Sequence, residues 1–103
     1  MSRLVEILYF DDCPNWSTAA SAVDQAAREL GVAVEIRLVR VASEAEATRL
    51  RFLGSPTVRV DGRDVEPGAE ERRAFALACR IYRTEEGFAG VPPESWLRAA
   101  LAE

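Results

Sequence analysis

Leu4-Val5-Glu6-Ile7-Leu8-Tyr9-Phe10-Asp11-Asp12-Cys13-Pro14-Asn15-Trp16 is the stretch on which the reading of this 103-residue chain turns. Leu4–Phe10 is apolar and aromatic apart from Glu6. It is too short for a buried helix and rich in strand formers, which predicts a mostly buried strand. Asp11-Asp12 ends the run. Pro14 suits the first turn of a helix, where its missing N–H costs nothing. From Asn15 to Leu30 the apolar residues Trp16, Ala19, Ala20, Val23, Ala26, Ala27 and Leu30 recur at helical spacing, with Gly31 as the stop. A thiol, Cys13, is therefore expected where a strand ends and a helix begins.

Working outward, Val32–Val41 alternates, with Val32, Val34, Ile36 and Leu38 on one face, and predicts a second, half-buried strand. Ser43 with Glu46 three residues on opens a short helix over Glu44–Phe52, which Gly54 closes. Ser55-Pro56-Thr57 leads into a third strand, Val58–Val60. Asp61-Gly62 signals a hairpin, and Arg63–Val65 returns as a fourth strand. Residues 69–82 are ambiguous: Phe75, Ala78, Cys79 and Tyr82 fit one helix face, but Cys79–Tyr82 also reads as extended. Gly87–Gly90 is expected to be a loop, and Pro92-Pro93-Glu94 starts a last helix carrying Trp96, Leu97, Ala100 and Leu101. A helix between the first two strands makes them parallel, and the hairpin makes the last pair antiparallel. The expected fold is a single α/β domain over 1–103, a four-stranded mixed sheet flanked by helices in the order βαβαββα, with an extra C-terminal helix.

Composition narrows the chemistry. At 49% hydrophobic and 29% charged the chain is ordinary globular material, and no apolar run reaches bilayer length. A net charge of −4 argues against nucleic acid as a partner. The 13 positive charges are all arginine, so lysine Schiff bases are excluded, and the absence of histidine excludes Ser-His-Asp triads, Cys-His dyads and His-ligated metals. Cys13 and Cys79 are too few for a disulfide framework or a four-cysteine metal site. No export signal is visible, which makes the cytoplasm the default compartment.

Chemistry then rests on thiols. The dipole and free N–H groups of a helix start favour a thiolate at Cys13, while Asp11 and Asp12 disfavour it, and the sequence leaves that balance open. Cys79 is the only internal thiol that could resolve a disulfide formed at Cys13, and it is equally a candidate for core packing among Phe75, Ala78 and Tyr82. Trp16 is expected to pack, with a possible second use as an apolar wall beside the thiol. Asp12 is a candidate proton-handling group. Arg51, Arg59 and Arg63 are candidate carboxylate partners.

The order strand, Cys13-Pro14, helix, then about forty residues later Ser55-Pro56-Thr57 and a hairpin, resembles the thioredoxin-like fold over Leu4–Val65. The tail Cys79-Arg80-Ile81-Tyr82 and Gly87–Pro92 is similar to a group of small bacterial thioredoxin-like proteins. The resemblance implies that Cys13 opens the first helix opposite a cis Pro56. It also implies that the backbone of Ser55 pairs with an extended peptide or a glutathione-like ligand, and that Pro14, Trp16, Ser55, Pro56 and Thr57 border the substrate. The dithiol motif is degenerate: Cys13-Pro14-Asn15-Trp16 has tryptophan in place of the second thiol, so cycling within the motif is impossible. The expectation is a thiol–disulfide exchange protein without a cofactor, acting on a protein or a low-molecular-weight thiol or disulfide. Two others stand beside it: soft-metal chemistry resembling organomercurial lyases, and a redox-inert binding module. Oligomeric state is not written in the residues.

Overall fold

The computed structural model describes residues 2–103. In chain order it contains β1 (Arg3–Tyr9), α1 (Trp16–Leu30), β2 (Val34–Arg40), α2 (Glu44–Arg49), β3 (Thr57–Val60), β4 (Arg63–Asp64), a single 3-10 turn at Ala69–Glu71, β5 (Tyr82–Thr84), β6 (Gly87–Ala89) and α3 (Glu94–Ala102). The first four strands form one mixed sheet in the order β2-β1-β3-β4, with β1 parallel to β2 and antiparallel to β3. This is the mixed four-stranded sheet with helices that the sequence predicts.

Alternation along β1 sorts its side chains onto two faces. Val5 and Ile7, with Val58 and Val60 of β3, pack against Ala19, Val23, Ala26 and Ala27 of α1 and Leu97, Ala100 and Leu101 of α3. Three alanines on the buried stripe of α1 let its backbone lie close to the sheet. On the opposite face Leu8 meets Val41, Ala47 of α2 and Phe52. Each of the larger side chains contributes roughly 1.5–3 kcal/mol by leaving water. Leu38 is the exception to the predicted half-buried face of β2: it lies on the outermost strand and is 47% exposed.

Local signals act where they are strongest. The Ser43 hydroxyl accepts from the Glu46 N–H at 3.1 Å and caps α2, although α2 ends at Arg49 rather than at Phe52. Asp61 and Gly62 have φ of 50° and 87°, the pair of left-handed conformations that a tight hairpin turn requires. The Asp61 carboxylate also accepts from the Leu4 N–H and from Arg3, tying the turn back to β1.

The region after β4 departs from expectation. Residues 69–82 contain no α-helix, and Gly87–Ala89 is not a loop but the second strand of a separate hairpin with β5. A single helix, α3, follows β4, so the helix expected over residues 69–82 in addition to a C-terminal one is absent.

Candidate functional site

The register of the sheet assembles the site. Leu8 of β1 is opposite Thr57 at the start of β3. The chain leaving β1 toward Cys13 and the chain entering β3 through Ser55-Pro56 therefore meet at one end of the sheet. The Ser55–Pro56 bond is cis.

Cys13 closes a turn, its N–H donating to the Phe10 carbonyl at 3.0 Å. The helix begins later than the sequence suggests. Asn15 is the residue before α1, and the first bond to it comes from the Ala19 N–H at 3.0 Å. Cys13 thus precedes the helix rather than opening it, and it receives less from the helix dipole, which acts over the first turn. It is also buried, with 2% of its surface exposed.

The residues flanking this turn are closely packed. Tyr9 and Trp16 stack with ring centroids 5.2 Å apart, and Trp16 packs on the α1–α3 core. Gly90 approaches the turn so closely that a Cβ there would lie 2.4 Å from Asn15 Nδ2. Asp11 turns away to form a two-pronged bond with Arg40, at 2.8 and 2.7 Å, and this hydrogen bonding holds its carboxyl below the ordinary carboxylate range. Pro14 and Asp12 are exposed.

Ser55 is wholly buried, and its backbone is already paired. The Ser55 N–H donates to the Ala78 carbonyl at 2.8 Å, and the Arg80 N–H donates to the Ser55 carbonyl at 2.9 Å. These two bonds make Ser55 and Cys79 partners in a parallel bridge. The Ala76 N–H adds a bond to the Phe52 carbonyl at 3.1 Å, and the Leu77 N–H donates to the Glu44 carboxylate at 3.1 Å. Residues 76–80 therefore lie beside Phe52–Ser55. Gly54 permits this contact: its φ is +120°, and a Cβ there would lie 2.9 Å from the Arg80 Cβ. Cys79 is exposed on this segment, so the core-packing alternative is corrected. The backbone pairing with Ser55 leaves Cys79 at the surface. Both cysteines are free thiols.

Arg80 anchors the segment. Its guanidinium is almost fully buried and bonds to both Asp64 oxygens at 2.7 and 3.1 Å, to Glu66 at 3.0 Å and to the Thr57 hydroxyl at 3.1 Å. Burial, the largest influence on it, works against the charge, but Asp64, Tyr82 and Glu66 outweigh it and raise the Arg80 pKa. Thr57 also donates to the Gly54 carbonyl at 2.6 Å, so its hydroxyl is used inside the fold. Sequence reasoning missed this cluster. The available signal was an arginine set between apolar residues, Ala78-Cys79 and Ile81-Tyr82, and two acids, Asp64 and Glu66, spaced two apart.

No protein-family model matches this chain, and no curated protein is significantly similar to it.

Two further placements complete the site. Arg51, Arg59 and Arg63 line one cavity of about 340 Å³ that Cys79 does not border. Arg59 Nη2 donates to the Leu50 and Arg51 carbonyls, so part of this guanidinium closes the end of α2. Among the described residues no three His, Cys, Asp or Glu side chains converge to hold a metal, and no helix is long and apolar enough to cross a membrane.

The phenol of Tyr82 donates to the Pro56 carbonyl at 2.5 Å. Burial pushes its pKa well above the ordinary value of about 10. A group with a raised folded pKa contributes stability that is fully present below the unfolded pKa and is lost as pH rises toward the folded one. Urea midpoints should therefore fall as pH rises above about 10, with a shallower fall in Tyr82→Phe. That variant should start about 1 kcal/mol lower at neutral pH, because the Pro56 carbonyl loses its donor.

Proposed function

We propose that this chain is a thioredoxin-like protein that carries out thiol–disulfide exchange, with Cys79 as the thiol that meets the partner. The observation that carries the reading is the exposed Cys79 thiol held by backbone bonds against Ser55, at the sheet end that also bears Cys13. In the fold the sequence resembles, the Ser55 backbone is where an extended ligand pairs. Here residues 78–80 fill that place and carry a thiol with them. The roles expected of the two cysteines are accordingly exchanged: Cys79 attacks first, and Cys13 is the protected second thiol.

The chemistry needs no cofactor. Cys79 loses its proton to water, and the thiolate attacks one sulfur of a partner disulfide. A Cys79–partner disulfide forms, the partner S–S bond breaks, and the second partner sulfur leaves as a thiolate. A second thiol then attacks the mixed disulfide and leaves one oxidised and one reduced product. Two free thiols fit a reducing compartment such as the cytoplasm, with a protein or small disulfide as partner.

Burial of Cys13 favours a second reading, a redox-inert binding module in which the fold survives and its thiol has no reaction. Reduction of a small disulfide by the wild type and by Cys79→Ser separates the two, and alkylation of the native protein followed by mass spectrometry reports which thiol is open. Cys79 should be modified at least a hundredfold faster than Cys13, and Cys79→Ser should abolish reduction of a small disulfide. Full activity in Cys79→Ser would refute the exchange reading. Loss of all disulfide reactivity in the wild type would leave the binding module. One mercuric ion bound through both thiols would point to soft-metal chemistry.

A further inference from the structure

Cys79 borders a groove of about 810 Å³, a volume typical of a small-molecule site. Its walls include Leu53, Pro67, Ile81, Phe88 and Trp96. Ile81 and Phe88 are 63% and 74% exposed, an unusual pair of large apolar side chains to leave in water beside a thiol.

The charged groups of the groove are unequal. Glu66 is its only acidic wall residue, and both Arg72 and Arg80 bond to it. Asp64, behind the wall, is taken by Arg80. Arg83 lies over the Phe88 ring at 5.6 Å and has no ion-pair partner among the described residues. Arg80 lines the groove, and its Nε is buried without an acceptor, a donor left unsatisfied at a cost. In a chain with a net charge of −4, this groove thus holds a surplus positive charge and an unused buried donor beside an exposed thiol.

We infer that the groove binds small disulfides bearing a carboxylate, and that Cys79 forms its mixed disulfide with them there. The carboxylate meets Arg83, the body of the compound covers Ile81 and Phe88, and one sulfur faces Cys79. Because residues 78–80 already occupy the Ser55 backbone, the groove suits a compact molecule rather than a pairing peptide. The inference rests on the exchange reading above. Its step is the same: the Cys79 thiolate bonds to one sulfur of the compound, and the other leaves as a carboxylate-bearing thiolate.

The test compares dithiodipropionate with its dimethyl ester, each rate divided by that of a free blocked cysteine. Mixed-disulfide formation at Cys79 is read by mass spectrometry. The carboxylate form should react about fivefold faster, the upper size of one exposed ion pair. That preference should disappear in Arg83→Ala and shrink in high salt. Equal normalised rates, or a preference that survives Arg83→Ala, would overturn the groove assignment and leave thiol exchange standing. Reaction with neither compound would overturn both.

Discussion

Replacing Arg80 by alanine is expected to lower the unfolding free energy by about 3–5 kcal/mol, the cost of removing one partner from a buried ion cluster. In the native protein its guanidinium bonds to Asp64 and Glu66, themselves largely shielded from water. Without it two like charges remain close together at low exposure, and the Thr57 hydroxyl loses a donor. Against the 5–15 kcal/mol typical of a domain, the loss is large. Urea unfolding measures it directly. Arg80→Met combined with Asp64→Asn should lose less than Arg80→Ala alone, because Asp64 is then not left as an unpaired charge and Glu66 keeps Arg72 as its partner. If Arg80→Ala loses under 1 kcal/mol, the cluster is not the anchor of the 76–80 segment.

Gly54→Ala should have the next largest effect, about 2–4 kcal/mol. Two costs combine there. A φ of +120° is strained for any residue with a Cβ. The added methyl would also meet the Arg80 Cβ at 2.9 Å, the Arg80 Cα at 3.0 Å and the Ala78 carbonyl at 3.1 Å. None of these is the free end of a flexible side chain, so relief requires residues 78–80 to move away from Ser55. Amide exchange at Ser55 and Arg80 should accelerate more than exchange in β1. Gly62→Ala is the control: its φ of +87° is also left-handed, but a Cβ there meets nothing, and a loss of about 1 kcal/mol is expected. Equal losses in the two variants would show that the close approach at Gly54 carries no energy.

The sequence reveals the sheet because its signals are local. A short apolar run marks β1, alternation marks β2, the Asp61-Gly62 pair marks the hairpin and Ser43 marks the start of α2. Residues 69–82 are legible only in part because what organises them is remote. Phe75, Ala78, Cys79 and Tyr82 share helical spacing, yet the segment takes its shape from backbone bonds to Phe52 and Ser55, and such bonds leave no periodic trace. The depth of Cys13 is hidden for the same reason. The turn that bears it is approached by Gly90, far along the chain. Trp16 in the fourth place of the motif was visible, and with it the loss of an adjacent second thiol.

Docking of residues 78–80 onto Ser55 is written in main-chain atoms, and such bonds are indifferent to what the side chain at position 79 happens to be. Alanine or serine would seat there equally well. Free cysteine ordinarily retreats from solvent, where oxidation threatens it. A sulfur displayed at a spot where architecture does not ask for one is a passenger by structure, and the main chain would hold its place without it.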